Sequence, residues 1–71
     1  MTRARRLILR IIYTNKLLLI ESYLNSENLR AAKRVAKSLR RMKDCTDMLS
    51  REELDLVDTV IKASRIREVK L

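Results

Sequence analysis

The sequence contains no glycine, no proline and no histidine, and it has a single cysteine. Without glycine it lacks the phosphate-cradling loops of nucleotide-binding enzymes. Without histidine it lacks the base of Ser-His and Cys-His nucleophile pairs and the commonest zinc ligand. We therefore predict a non-enzymatic protein with no cofactor and no metal site, which must act by binding something else.

Phenylalanine and tryptophan are also missing, so the core must be built mainly from Leu, Ile, Val, Ala and Met. Aliphatic cores suit helix packing, and the lack of both Gly and Pro argues against tight hairpin turns. A chain of 71 residues has room for one modest core. The composition thus predicts one all-α domain over residues 1–71, a small bundle of three helices made of a helical hairpin plus a third helix.

The single cysteine indicates in which cellular compartment the protein is expected to reside. Cys45 cannot form an intramolecular disulfide, whereas a secreted domain of this size would normally need several such bridges. The apolar run over residues 7–20 is interrupted by Arg10 and by Thr14-Asn15-Lys16, and it is too short to span a bilayer. We therefore predict a cytoplasmic protein that does not act on a membrane.

Apolar spacing and polar clusters predict three helices. Helix 1 covers about residues 3–24. Helix 2 covers about residues 26–43, and Asn25 and Ser26 offer side-chain oxygens that could cap its start. The polar cluster 44–47 is predicted to be a loop. Ser50, followed three residues later by Glu53, has the spacing of a capping box and starts helix 3, which runs to about residue 66.

A second interpretation of residues 6–13 remains open, because this Ile- and Leu-rich segment could form a basic strand. A strand followed by two helices is the element order of the ribbon-helix-helix repressors, whose two-stranded ribbon enters the DNA major groove. Against a strand, Ile8 and Ile12 flank Arg10 on the face that would have to read the bases. The helix is therefore the favoured interpretation.

The positive charge is unevenly distributed along the chain. The net charge is +8, and residues 1–43 hold 12 basic and 2 acidic side chains, whereas residues 44–71 hold 5 and 7. An anionic partner, either a nucleic acid or an acidic protein surface, is therefore expected to meet the N-terminal two-thirds of the chain.

The basic residues of helix 2 share about a third of its circumference at 100° per residue. Six like charges without an interleaved acid repel one another, and a bound polyanion would relieve that repulsion. The alternative is an ordinary solvated face that only keeps the protein in solution. We predict that this face contacts the backbone of a nucleic acid through Arg30, Lys33, Arg34, Lys37, Arg40 and Arg41.

Helix 1 is apolar on several sides, and two further helices cannot cover it. A homodimer with helix 1 at its interface would solve this problem, and so would docking on a different protein or on a membrane. The predicted interface residues are Leu7, Ile8, Ile11, Ile12, Leu18, Leu19 and Tyr23. The sequence thus predicts a small dimeric regulator of transcription that binds DNA or RNA. The alternative is a protein-interaction module, an inhibitor or adaptor of a larger regulator, which docks through helix 1.

Overall fold

The computed structural model describes residues 2–69, and over that range the chain is helical without any strand. Three long helices pack together: α1 (Arg3–Asn25), α2 (Leu29–Arg40) and α4 (Arg51–Lys62). A single turn, α3 (Cys45–Met48), precedes α4, and a 3₁₀ turn (Ile66–Glu68) follows it. The all-α prediction is confirmed. The strand interpretation of residues 6–13 is wrong, because those residues lie inside α1.

The turn after α1 contains an unusual backbone conformation. The N–H of Glu27 donates to the carbonyl of Leu24 at 3.0 Å, and the N–H of Asn28 donates to the carbonyl of Tyr23 at 2.8 Å. These two bonds form a Schellman motif, which requires one residue in the left-handed region. Because the chain has no glycine, Glu27 occupies that position with φ 58°. For a residue other than glycine, this backbone conformation lowers the stability of the fold by roughly 1–2 kcal/mol.

The start of α2 differs from the prediction. Asn25 is the last residue of α1, and Ser26 belongs to the turn, so neither of them caps the second helix. The cap is Asn28, whose side-chain oxygen accepts a hydrogen bond from the N–H of Ala31 at 3.2 Å. The prediction of Asn25 and Ser26 as caps is therefore wrong, because the Schellman turn moves the start of the second helix to Asn28.

The segment between α2 and α4 is helical where a loop was predicted. The second helix ends at Arg40, earlier than expected, and the polar cluster after it forms α3. Within that turn the N–H of Met48 donates to the carbonyl of Asp44 at 2.9 Å. The turn buries Cys45 and Met48, and Leu49 follows them into the core. Burial of these apolar side chains therefore outweighs the polar character of the segment.

The predicted capping box at the start of α4 is confirmed. The Ser50 hydroxyl accepts a hydrogen bond from the N–H of Glu53 at 3.2 Å, and the Glu53 carboxylate accepts one from the N–H of Ser50 at 2.8 Å. The end of α4 was placed too late, because the helix stops at Lys62 and Ala63 is extended with ψ 138°. The 3₁₀ turn follows, and Val69 directly after it is buried in the core.

The core lies between α2 and its two long neighbours, α1 and α4. Ala32 and Ala36 are completely buried one helical turn apart, and their small size lets the neighbouring helices approach α2 closely. The buried residues are Tyr13, Leu17, Ile20, Leu24, Ala32, Ala36, Leu39, Cys45, Met48, Leu49, Val57, Val60, Ala63 and Val69.

Replacing the strained residue of the Schellman turn should stabilise the fold. We expect Glu27→Gly to raise the free energy of unfolding by about 1 kcal/mol, because glycine adopts a left-handed conformation without steric cost. Urea unfolding followed by circular dichroism measures the change. The matched control is Glu21→Gly, inside α1, which should instead lower stability by about 1 kcal/mol. A loss of stability in both variants would contradict the strain at Glu27.

Candidate nucleic-acid interface

Five of the six predicted basic residues lie within α2, and Arg41 directly follows its last residue. Arg30, Arg34, Lys37 and Arg41 are exposed, and Lys33 is half-buried. This arrangement follows from the amphipathic pattern of α2, because burial of Ala32, Ala36 and Leu39 turns the opposite side of the helix toward solvent. We call these six predicted residues, Arg30, Lys33, Arg34, Lys37, Arg40 and Arg41, the cationic face.

Four members of the cationic face line a shallow depression of about 270 Å³, and its lining contains no acidic residue: Arg30, Lys33, Arg34 and Lys37. Within residues 2–69, neither Arg30 nor Arg34 nor Lys37 forms an ion pair. The ammonium of Lys33 donates a hydrogen bond to the carbonyl of Ala63, which fixes its position without neutralising its charge. The depression therefore gathers four positive charges around one concave surface.

Arg40 stands apart from the rest of the cationic face. Its guanidinium lies 3.3 Å from the Asp58 carboxylate of α4, and it also donates to the buried sulfur of Cys45 at 3.8 Å. The hydrogen bond to Cys45 and the charge of Asp58 both raise the pKa of Arg40. Arg40 thus ties α2 to α4 and α3, and its charge is partly balanced inside the protein.

A second basic side chain, Arg10, joins distant parts of the chain, a role that was not predicted from the sequence. Arg10 of α1 forms a bidentate pair with Glu53 of α4 at 3.1 and 3.0 Å, and it also donates to the carbonyl of Met48 at 2.6 Å. The hydrogen bond from Arg10 is the main cause that lowers the pKa of Glu53 and raises that of Arg10. The partners lie about 40 residues apart in sequence, so no local pattern could reveal this contact.

A larger depression of about 410 Å³ lies beside Arg10, between the start of α1 and α3. Leu7 and Met48 supply apolar surface, and Asp47 adds a negative charge. The lining residues are Arg3, Arg6, Leu7, Arg10, Asp47 and Met48. Asp47 and the Glu53 partner of Arg10 offset part of the positive charge of this depression. It is therefore less suited to a polyanion than the depression on α2.

The predicted interface residues of α1 are exposed with one exception. Six large aliphatic side chains remain at the surface: Leu7, Ile8, Ile11, Ile12, Leu18 and Leu19. Their exposed fractions, which run from 38% to 61%, together equal slightly more than three fully exposed side chains. Covering that much surface is worth about 1.5–3 kcal/mol per side chain. Tyr23 differs from the other six because it is half-buried and packs against the core.

The two tyrosines leave little aromatic surface for stacking against bases. Tyr13 is only 1% exposed, and burial is the main cause that raises the pKa of its phenol. Tyr23 packs against the core. The described residues thus hold positive charge, and no freely exposed aromatic ring, at the candidate interface.

None of the helices in residues 2–69 has the combination of length and mean hydropathy that a bilayer crossing demands. Comparison with protein-family models, with curated proteins and with solved structures finds no match to this chain.

The Arg10 pair generates a pH-dependent prediction. Glu53→Gln keeps an oxygen that can cap Ser50 but removes the charge that holds Arg10. We expect this variant to lose about 0.5–1 kcal/mol of unfolding free energy near pH 7. The hydrogen bond from Arg10 holds the pKa of folded Glu53 below its ordinary value. The stability that the Glu53 charge contributes is therefore complete above the ordinary pKa and is lost as the pH falls through the folded pKa.

Urea unfolding at pH 7 and at about pH 3 measures this difference. The wild type and Glu53→Gln should differ at pH 7 and converge in acid. Glu52→Gln is the matched control, because Glu52 is exposed beside Glu53 in the same helical turn. A difference that persists undiminished at the lower pH would show that the Glu53 charge does not stabilise the fold through Arg10.

Proposed function

We propose that this protein is a small, non-enzymatic regulator that binds DNA or RNA through the cationic face of α2 and acts as a dimer. One observation carries the proposal: four basic side chains, Arg30, Lys33, Arg34 and Lys37, surround a single depression whose lining contains no acid. Among the six residues of the cationic face, Arg40 alone forms an ion pair within residues 2–69, which supports the other members as the contacts for an anion.

The chemistry of this surface suits the phosphate backbone better than the bases. Phosphate contacts need closely spaced Lys and Arg side chains, whereas single-stranded binders usually stack bases on exposed aromatic rings. The cationic face supplies closely spaced Lys and Arg side chains. Burial of Tyr13 removes one of the chain's two aromatic rings from the surface. Binding through the backbone implies an affinity that falls steeply with salt and a modest sequence preference.

An acidic protein is the other anionic partner that could meet this face. A duplex or an RNA hairpin is favoured because its phosphates repeat at short intervals, so several can be neutralised at once by cations that follow one helix. A two-fold dimer would present two such faces to the same nucleic acid and would increase the number of released counterions.

Charge reversal within the depression tests the proposal. We expect Arg34→Glu combined with Lys37→Glu to weaken binding to a duplex or an RNA hairpin by about 100-fold at moderate salt, because two phosphate contacts become repulsive. The slope of log affinity against log salt concentration should also fall by roughly 2 per chain. Fluorescence anisotropy of a labelled duplex and a labelled hairpin, over a series of salt concentrations, measures both quantities.

The matched control combines Arg5→Glu with Arg51→Glu. Both residues are exposed cations outside α2, and this pair changes the net charge by the same amount. The control should retain most of the affinity. Equal losses in the two double variants would point to net charge alone, and an unchanged affinity in Arg34→Glu with Lys37→Glu would rule out the cationic face as the site.

A second candidate function is favoured by the six exposed aliphatic side chains of α1. In this alternative the protein inhibits or adapts a larger regulator, α1 docks on that regulator, and the basic charges steer the association. Ile12→Lys with Leu19→Lys should then abolish recovery of one defined foreign protein in constant stoichiometry with the tagged chain. Recovery of nothing but further copies of this chain would count against the alternative.

A further inference from the structure

The exposed side of α1 carries a repeat of its own. Six positions follow one another at spacings of 4, 3, 4, 3 and 4 residues, and all six are exposed: Ala4, Ile8, Ile11, Asn15, Leu18 and Ser22. A mean spacing of about 3.5 residues is that of the contact seam in coiled coils. We call these six positions the seam, and they extend over about 27 Å of helix at 1.5 Å per residue.

The seam is separate from the surface that α1 uses within its own chain. The core residues of α1 are Tyr13, Leu17, Ile20 and Leu24. At 100° per residue their mean direction lies about 180° from that of the seam. Since α2 and α3 pack against α1 on its core side, a further helix can approach the seam without meeting the rest of the fold.

We propose that α1 pairs in parallel and in register with α1 of a second copy, so that each seam residue meets its own counterpart. This inference deepens the dimer named in the proposed function, because it specifies the surface, the orientation and the register. Ile8, Ile11 and Leu18 would supply the apolar contacts, and Asn15 would be the polar position in the middle.

Asn15 is the observation that favours a second copy over another occupant. A single Asn within an apolar seam specifies register and number of strands in parallel coiled coils. In a parallel pair the two Asn15 amides face each other, and each can donate to and accept from the other. In an antiparallel pair Asn15 would face Ile11 of the second copy, and its amide would be buried without a partner. A lipid surface would leave it equally unsatisfied.

The residues that flank the seam agree with the parallel arrangement. Leu7, Ile12 and Leu19 border it and are exposed. In a parallel pair Leu7 of one copy lies beside Ile12 of the other, so the flanks extend the apolar contact. No charged residue occupies the seam, since Arg5 and Glu21 lie to its sides by their positions on the helix.

The parallel orientation has an electrostatic consequence. It brings together the two helix starts, each of which carries Arg3, Arg5 and Arg6 on exposed positions. These arginines repel one another, and added salt screens the repulsion. The dimer should therefore tighten severalfold as salt is raised, whereas nucleic-acid binding should weaken. An antiparallel pair would separate the two starts and weaken this effect, leaving only the general repulsion between two chains of net charge +8.

Disulfide trapping tests the register. In a full-length Cys45→Ala background, Ser22→Cys should give a covalent dimer on mild oxidation, because counterpart seam positions approach within disulfide range. Ser38→Cys is the matched control, since Ser38 is an exposed serine on α2, and it should stay monomeric on denaturing gels. A disulfide that forms only when Ser22→Cys is mixed with Ala4→Cys would overturn the parallel orientation.

Sedimentation equilibrium tests the surface itself. Ile11→Glu should shift the wild-type dimer to monomer while helix content is retained, because Ile11 is 60% exposed in the single chain. Ser38→Glu, which changes the charge equally, should remain dimeric. Asn15→Val should lose the single dimeric state and form higher oligomers. A wild type that is monomeric at about 100 µM would overturn the proposal.

These outcomes separate the dimer from the proposed function. A monomeric wild type that still binds a duplex or a hairpin would refute the α1 pairing and leave the cationic face as the site. A disulfide-trapped dimer that binds neither the duplex nor the hairpin would support the α1 pairing and refute the cationic face as the site. Binding of the wild type to anionic vesicles that is abolished by Ile11→Glu, with no dimer in solution, would identify a lipid surface as the occupant of the seam and refute the second copy.

Discussion

Packing of α2 against both α1 and α4 is the contact on which the other features of the molecule depend. Ala32, Ala36 and Leu39 are completely buried, and their burial fixes the rotation of α2 about its own axis. Once that rotation is fixed, the basic residues of the same helix must face outward. The concave cationic surface is therefore a consequence of an apolar contact, because the two faces belong to one helix whose geometry is rigid.

The edges of the cationic face are held by polar contacts with the C-terminal part of the chain. Lys33 donates to the carbonyl of Ala63, and Arg40 pairs with Asp58. Both contacts leave part of the positive charge available, because a carbonyl is neutral and the Arg40 pair is about 40% exposed on each side. One carbonyl and one carboxylate of the C-terminal part thus position the edges of the basic helix without cancelling its charge.

The start of α1 depends on a different set of contacts. The buried residues of α1 begin at Tyr13, so its first three turns lie largely outside the core. Arg10 connects this projecting part to Glu53 and to the carbonyl of Met48. The same Glu53 also caps α4, and one carboxylate thereby links the direction of α1 to the start of α4. The seam from Ala4 to Ser22 is exposed along its whole length because it lies on the side of α1 opposite its core residues.

Local patterns in the sequence determined the helical fold, the capping box at Ser50 and the grouping of basic residues on α2, because each depends on residues no more than one or two turns apart. They also determined that α1 has more apolar surface than this chain can cover. Only the tertiary structure decided which polar residue caps α2, that the segment after Arg40 is a buried helical turn, and that Arg40 rather than Arg34 meets an acid. The cap follows from the left-handed turn at Glu27. The other two outcomes depend on contacts between segments further apart in the chain, such as Arg40 with Asp58, and the free energy of such contacts is set by packing that no local pattern records.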